Sequence, residues 1–188
     1  MTSVLPYIPI YRDGVIKLCL EDLGCLAASE ETQKFTAMLK CESYLDLTPE
    51  TCFVVVDESN AVVGCVLCSP DFDAFESSFN ETVLPKAAAL SVRRYVDAKL
   101  GLLPYAMFRK EYGAHLSLYV KSAWAGLGVD ALLITALFAE LRRRHVKGVV
   151  TLTEPENEDR IAFLKENGFK KVLTTKFGQA MGLELKEL

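Results

Sequence analysis

The chain has 188 residues, 51% of them hydrophobic and 24% charged, with a formal net charge of −4. A chain of this length buries about 70% of the surface its unfolded form exposes, enough for a full hydrophobic core. The acidic balance and scattered basic residues exclude a general electrostatic attraction to nucleic acid or to an anionic membrane. The longest apolar-rich run, Val129 to Leu141, contains Asp130 and Glu140 and is too short to span a bilayer. The N-terminus lacks the basic-then-apolar order of a secretory signal. Six cysteines at this length do not read as a disulfide framework. Cys65-Val66-Leu67-Cys68 lies inside a β-rich run and reads as buried free thiols; no metal and a cytoplasmic location are expected.

In chain order, Leu5 to Tyr11 is apolar but holds Pro6 and Pro9, which suits an edge strand. Val15 to Cys19 suggests a short helix, and Glu30 to Cys41 a second with Phe35, Met38 and Leu39 on one face. Thr51–Asp57 and Ala61–Cys68 are β-rich and joined by Glu58-Ser59-Asn60, a hairpin. In residues 70–113, Phe72, Phe75, Phe79 and Val83 recur at helical spacing up to Pro85, and a second helix runs from Ala87 to Lys99, before Gly101 and Pro104. The segment is too long for a hairpin connection and reads as a helical insertion with its own role.

Strand His115–Val120, helix Val129–Arg144, strand Val149–Thr153 and helix Glu158–Asn167 follow, then strands Lys170–Thr174 and Ala180–Leu185. Leu133, Ile134, Leu137, Phe138 and Leu141 form one stripe, the mark of a helix packed on a sheet. Gly148 and Gly168 are expected to terminate helices, and Arg142-Arg143-Arg144 to complement a helix dipole. The order predicts a mixed α/β sheet with 115–120 parallel to 149–153, one domain over 1–188.

Gly126-Leu127-Gly128 lies between strand and helix. Such a turn lets the backbone wrap a diphosphate, with the N–H groups of Val129 and Asp130 opening the helix; a plain tight turn is the alternative. Asp130 is expected to point outward. Alternation puts His115, Ser117 and Tyr119 on one strand face, where His115 suits a base near neutral pH and Tyr119 is a second candidate. Asn157 is either a site residue or an N-cap. Trp124 either covers a ligand or anchors the turn.

This order, with Gly126-Leu127-Gly128, Glu156-Asn157, Ile161-Ala162-Phe163-Leu164 and Gly168-Phe169 in place, resembles the GNAT acetyltransferase superfamily. Its patterns are Gln/Arg-x-x-Gly-x-Gly/Ala, then Glu-Asn, Ala-Ile-x-Phe-Tyr and Gly-Phe. Segments 48–54, 63–67 and 70–75 are similar to a subgroup of bacterial acetyltransferase-like proteins related to the C-terminal domain of O-GlcNAcase. The resemblance implies a centrally splayed sheet flanked by helices and acetyl-CoA as co-substrate. Its pantetheine would pair with the strand at Tyr119 and Val120. Its diphosphate would sit on Ala125, Gly126, Leu127, Gly128 and Val129, with Asn157 nearby. The activity implied is acetyl transfer to an amine, with Tyr119 and His115 as catalytic candidates. Two positions depart: the loop-head Gln/Arg falls on Ala123, and the tyrosine proposed as general acid falls on Leu164. The alternative implied by these departures is an inactive domain serving as a CoA-binding or protein-interaction module. The acceptor and the oligomeric state stay open.

Overall fold

The structure, a computed structural model, describes residues 3–175 and 178–185. Seven strands form one mixed sheet in the order β1-β2-β3-β4-β5-β7-β6. The edge strand β1 (Ser3–Pro6) pairs with β2 (Phe53–Val56), which forms the expected hairpin with β3 (Val62–Ser69). β4 (Ala114–Val120) runs antiparallel to β3 and parallel to β5 (Gly148–Thr153); β7 (Gly178–Glu184) and β6 (Lys170–Thr175) complete the sheet.

Helix α7 (Val129–Arg143) covers one sheet face. Leu133, Ile134, Leu137 and Leu141 are at most 1% exposed there, and burial of each contributes about 2 kcal/mol. Glu140 binds Arg143 and Arg144, and Arg144 reaches Glu50, so the arginine run closes the helix with fixed ion pairs. The helix ends at His145, which adopts a left-handed φ of 57°. Gly148 is not the terminator: it opens β5, where a Cβ would lie 2.9 Å from the Tyr112 ring. Gly168, at φ 88°, does follow α8 (Glu158–Glu166) as expected.

The opposite face carries α1 (Arg12–Asp22), then α2 (Glu30–Ala37), a π turn (Met38–Glu42) and α3 (Ser43–Leu47) as one continuous helical run. The insertion packs on the same face as three helices, α4 (Phe72–Thr82), α5 (Leu84–Leu90) and α6 (Val92–Ala106). Asp71 and Ser91 cap α4 and α6 by accepting the N–H groups of Ala74 and Arg94. The run from Phe72 ends before Pro85 as expected, since α4 stops at Thr82 and Pro85 sits in the first turn of α5. The single helix expected over Ala87–Lys99 does not form: it divides at Ser91, and α6 continues through Gly101 and Pro104, because packing of Ala98, Leu102 and Tyr105 outweighs the local breakers. Cys65 and Cys68 are buried free thiols. No helix among the described residues is long and apolar enough to cross a membrane.

Candidate active site

The site begins where the sheet comes apart. β4 and β5 pair only at Ala114↔Val149, His115↔Val150 and Leu116↔Thr151. The Thr151 hydroxyl then donates to the Leu116 carbonyl at 3.0 Å, while β5 continues beside β7 as far as Thr153↔Gln179. The strands diverge into a cleft of ≈ 280 Å³ whose walls include Ser117, Tyr119, Thr153, Asn157 and Leu164. It leads to a wider groove of ≈ 790 Å³ along Val120, Ala125, Gly126, Gly128 and Asn157.

The loop between β4 and α7 suits an anion in its backbone. Gly126 and Gly128 adopt φ of 73° and 81°, and a Cβ built on either meets nothing within 4 Å. Both therefore need glycine for conformation, and both face open space from which a ligand can approach. Val129 is buried as the first residue of α7. Leu127 is 68% exposed. Trp124 packs against the α7-side core and so anchors the turn.

The side chains around this loop oppose an anion. Asp22, Asp130, Asp159 and Glu166 line the groove, with Arg160 the one cation among the described lining residues. Asp130 is not turned away: its carboxylate accepts the Ala131 N–H at 2.9 Å while lining the groove. Ala123 is exposed and offers neither the amide of a Gln nor the charge of an Arg at the head of the loop. Asn157 caps α8, accepting the Arg160 N–H at 3.0 Å, and also borders both parts of the cleft.

The unpaired edge of β4 is already engaged. The Arg160 guanidinium donates to the Leu118 carbonyl at 3.0 Å and stands 3.9 Å from Asp22. The Asp22 carboxylate stands beside the Val120 N–H; burial raises its pKa, and Arg160 and that N–H oppose the rise. Aligned on Leu164 and Gly168-Phe169, the alanine that opens Ala-Ile-x-Phe-Tyr falls on Arg160. Leu164 itself is 1% exposed in the core beneath the cleft.

At the narrow end, Ser117 lies among the side chains of Tyr44, Tyr105 and Tyr119. Burial pushes all three phenols up, Tyr105 to about 12, against the contact with Ser117. They stay protonated and serve as hydrogen-bond donors. Proton transfer from Tyr105 to a thiolate whose thiol titrates near 8.5 runs uphill by about 5 kcal/mol. The Tyr119 hydroxyl donates to the Lys40 carbonyl at 3.4 Å. That carbonyl belongs to the π turn, where the Ser43 N–H returns to Met38. The half-buried Lys40 side chain lines both the cleft and a smaller cavity behind Ser117, and burial lowers its pKa.

His115 does not line the cleft. Fully buried, it is ringed by Tyr44, Phe72, Phe75 and Tyr105 with centroids 4.6 to 5.6 Å away. Neither ring nitrogen has a hydrogen-bond partner among the described residues, and desolvation drives its pKa down to about 3. The expectation of a base near neutral pH is corrected: His115 is a neutral core group here. The cleft residues that sequence reasoning missed are Asp22, Lys40, Tyr105 and Arg160. Only Arg160 left a signal, as the departure from alanine in a motif already recognised.

The fold is shared with solved structures, acetyltransferases among them. A protein called SsHAT matches with a TM-score of 0.86 at 21% identity, over 99% of each chain. PaiA N-acetyltransferase from Thermoplasma acidophilum, in complex with coenzyme A, matches with a TM-score of 0.63 at 10% identity, over 98% of this chain and 99% of its own. A GNAT-family acetyltransferase from Staphylococcus aureus Mu50 gives 0.63 at 10%, over 99% and 100%. No curated protein matches by sequence. The profile of the Acetyltransferase (GNAT) family matches residues 18–169. The chain belongs to that family.

Proposed function

We propose that the chain is an acetyl-CoA-dependent N-acetyltransferase acting on a primary amine. The observation that carries this reading is the cleft opened by β4 and β5, continuous with a left-handed Gly126-x-Gly128 loop at the start of α7. Acetyl-CoA, when bound, supplies the activated acetyl thioester. The backbone N–H groups of the loop would hold its diphosphate, Val120 and Tyr119 would flank its extended arm, and Asn157 would border it. Tyr119 and Tyr105 would present protonated hydroxyls at the narrow end, where negative charge develops on oxygen or sulfur. Lys40, whose ammonium is destabilised by burial, is the amine best placed to take a proton from the acceptor. Within the family, we place the chain beside the acetyltransferase-like domain of O-GlcNAcase, on the hairpin segments and the shared insertion.

A second reading, an inactive binding module, is favoured by Leu164 in the tyrosine position and by the four carboxylates lining the groove. Calorimetric titration with acetyl-CoA separates the transferase from a module that binds no coenzyme A, and release of free thiol in the presence of an amine separates it from a module that does. The transferase reading expects saturable binding that Gly126→Glu abolishes, since the new side chain brings bulk and negative charge to the loop at a left-handed φ. Absence of binding by the native chain at millimolar acetyl-CoA refutes it.

A further inference from the structure

We propose that Arg160 closes the groove against coenzyme A, its guanidinium holding the Leu118 carbonyl that an extended ligand would need. The inference rests on the cofactor reading above and names the residue that controls its occupancy.

Two observations carry it. The guanidinium bonds the splayed edge of β4 at 3.0 Å, and its side chain is only 20% exposed, so it lies along the strand rather than in solvent. Asp22, 3.9 Å away, stands beside the next outward-facing group of that edge, the Val120 N–H. Together they occupy one acceptor and flank one donor of the edge that β4 offers to an added chain.

A ligand amide entering the groove must first take the Leu118 carbonyl from a charged donor, the stronger kind of partner. Closure is thus the resting arrangement, and removing the guanidinium should open it.

The test is calorimetric titration of coenzyme A into the native chain, Arg160→Ala and Arg160→Lys, with a thermal melt to show each variant folded. Loss of a charge-assisted bond predicts about 10- to 100-fold tighter binding to Arg160→Ala when the titration is run at high salt, where loss of the one cation among the groove's described lining residues is screened. Arg160→Lys, shorter and unable to fork between Leu118 and Asp22, should fall between. Gly126→Glu in the Arg160→Ala background should remove the gained affinity. If the native chain refuses coenzyme A and Arg160→Ala binds it, this proposal stands and the transferase reading fails. If both bind equally, or Arg160→Ala binds more weakly, the proposal is overturned while the cofactor reading survives. A folded Arg160→Ala that still refuses coenzyme A also overturns it, because the groove was then closed by something else.

Discussion

Replacing His115 with leucine should leave the fold intact and remove an acid-sensitive liability from its core. The native ring is fully buried among four aromatic rings, and its pKa is driven from 6.5 to about 3. A folded-state pKa below the unfolded one means stability that is full above pH 6.5 and lost as pH falls toward 3. Between pH 7 and pH 4.5 this single group removes about 2.5 kcal/mol, at about 1.4 kcal/mol per pH unit once the unfolded histidine is charged. Leucine is close to histidine in volume and carries no titrating group, so the other ionisable residues contribute alike to both proteins and cancel. Urea unfolding followed by the fluorescence of Trp124, repeated at half-unit steps from pH 7 to 4.5, measures the difference directly. The gap between variant and native should widen in the variant's favour by about 2.5 kcal/mol across that range. Parallel curves would refute the burial argument and return His115 to the list of exposed titrating groups. Acetyl transfer retained by the same variant would separately exclude His115 as the base.

Two other expectations concern charged groups. Glu140, whose pKa the Arg143 and Arg144 pairing holds down at about 2, should stabilise the fold above pH 4.5 and lose that contribution as pH falls toward 2. Glu140→Gln should therefore lower Tm near neutrality and converge on the native Tm in acid, as scanning calorimetry would record; a gap constant with pH would show that the pair contributes nothing. Lys40 should be modified by trace acetic anhydride with a pH midpoint below the ordinary lysine value of about 10.4, because burial favours its neutral form. Competitive labelling read by peptide mass spectrometry measures that midpoint, and an ordinary or higher value would remove Lys40 as a proton acceptor.

Much of the fold is legible because its signals are local. The hydrophobic stripe of α7, the β2–β3 hairpin and the cap at Asn157 depend on neighbours in sequence, and each forms as its residues dictate. The failures are tertiary. Gly101 and Pro104 look like terminators, yet packing carries α6 through both. His115 shares its strand face with Ser117 and Tyr119 as alternation requires, but α3, α4 and α6 close over it. Alternation gives a face, not what covers that face. Arg160 acts through a strand 42 positions away, and Lys40 is set by a π turn for which the residues 38–42 offer no recognisable pattern.

That π turn makes the narrow end of the cleft sensitive to chain length. An α-helix answers substitution at one position with a change at that position alone. Here one residue more than α-spacing requires sits between Met38 and Ser43, and it offsets Lys40 from the register of the helices on either side. Deleting a single residue from 38–42 would restore that register and turn the Lys40 segment by up to about 100°, carrying amine and carbonyl away from Tyr119. Change in length is ordinarily tolerated in surface loops and forbidden in packed helices. In this chain it is a route by which a helix-borne group at the cleft could be gained or lost in one step, with both flanking helices left in place.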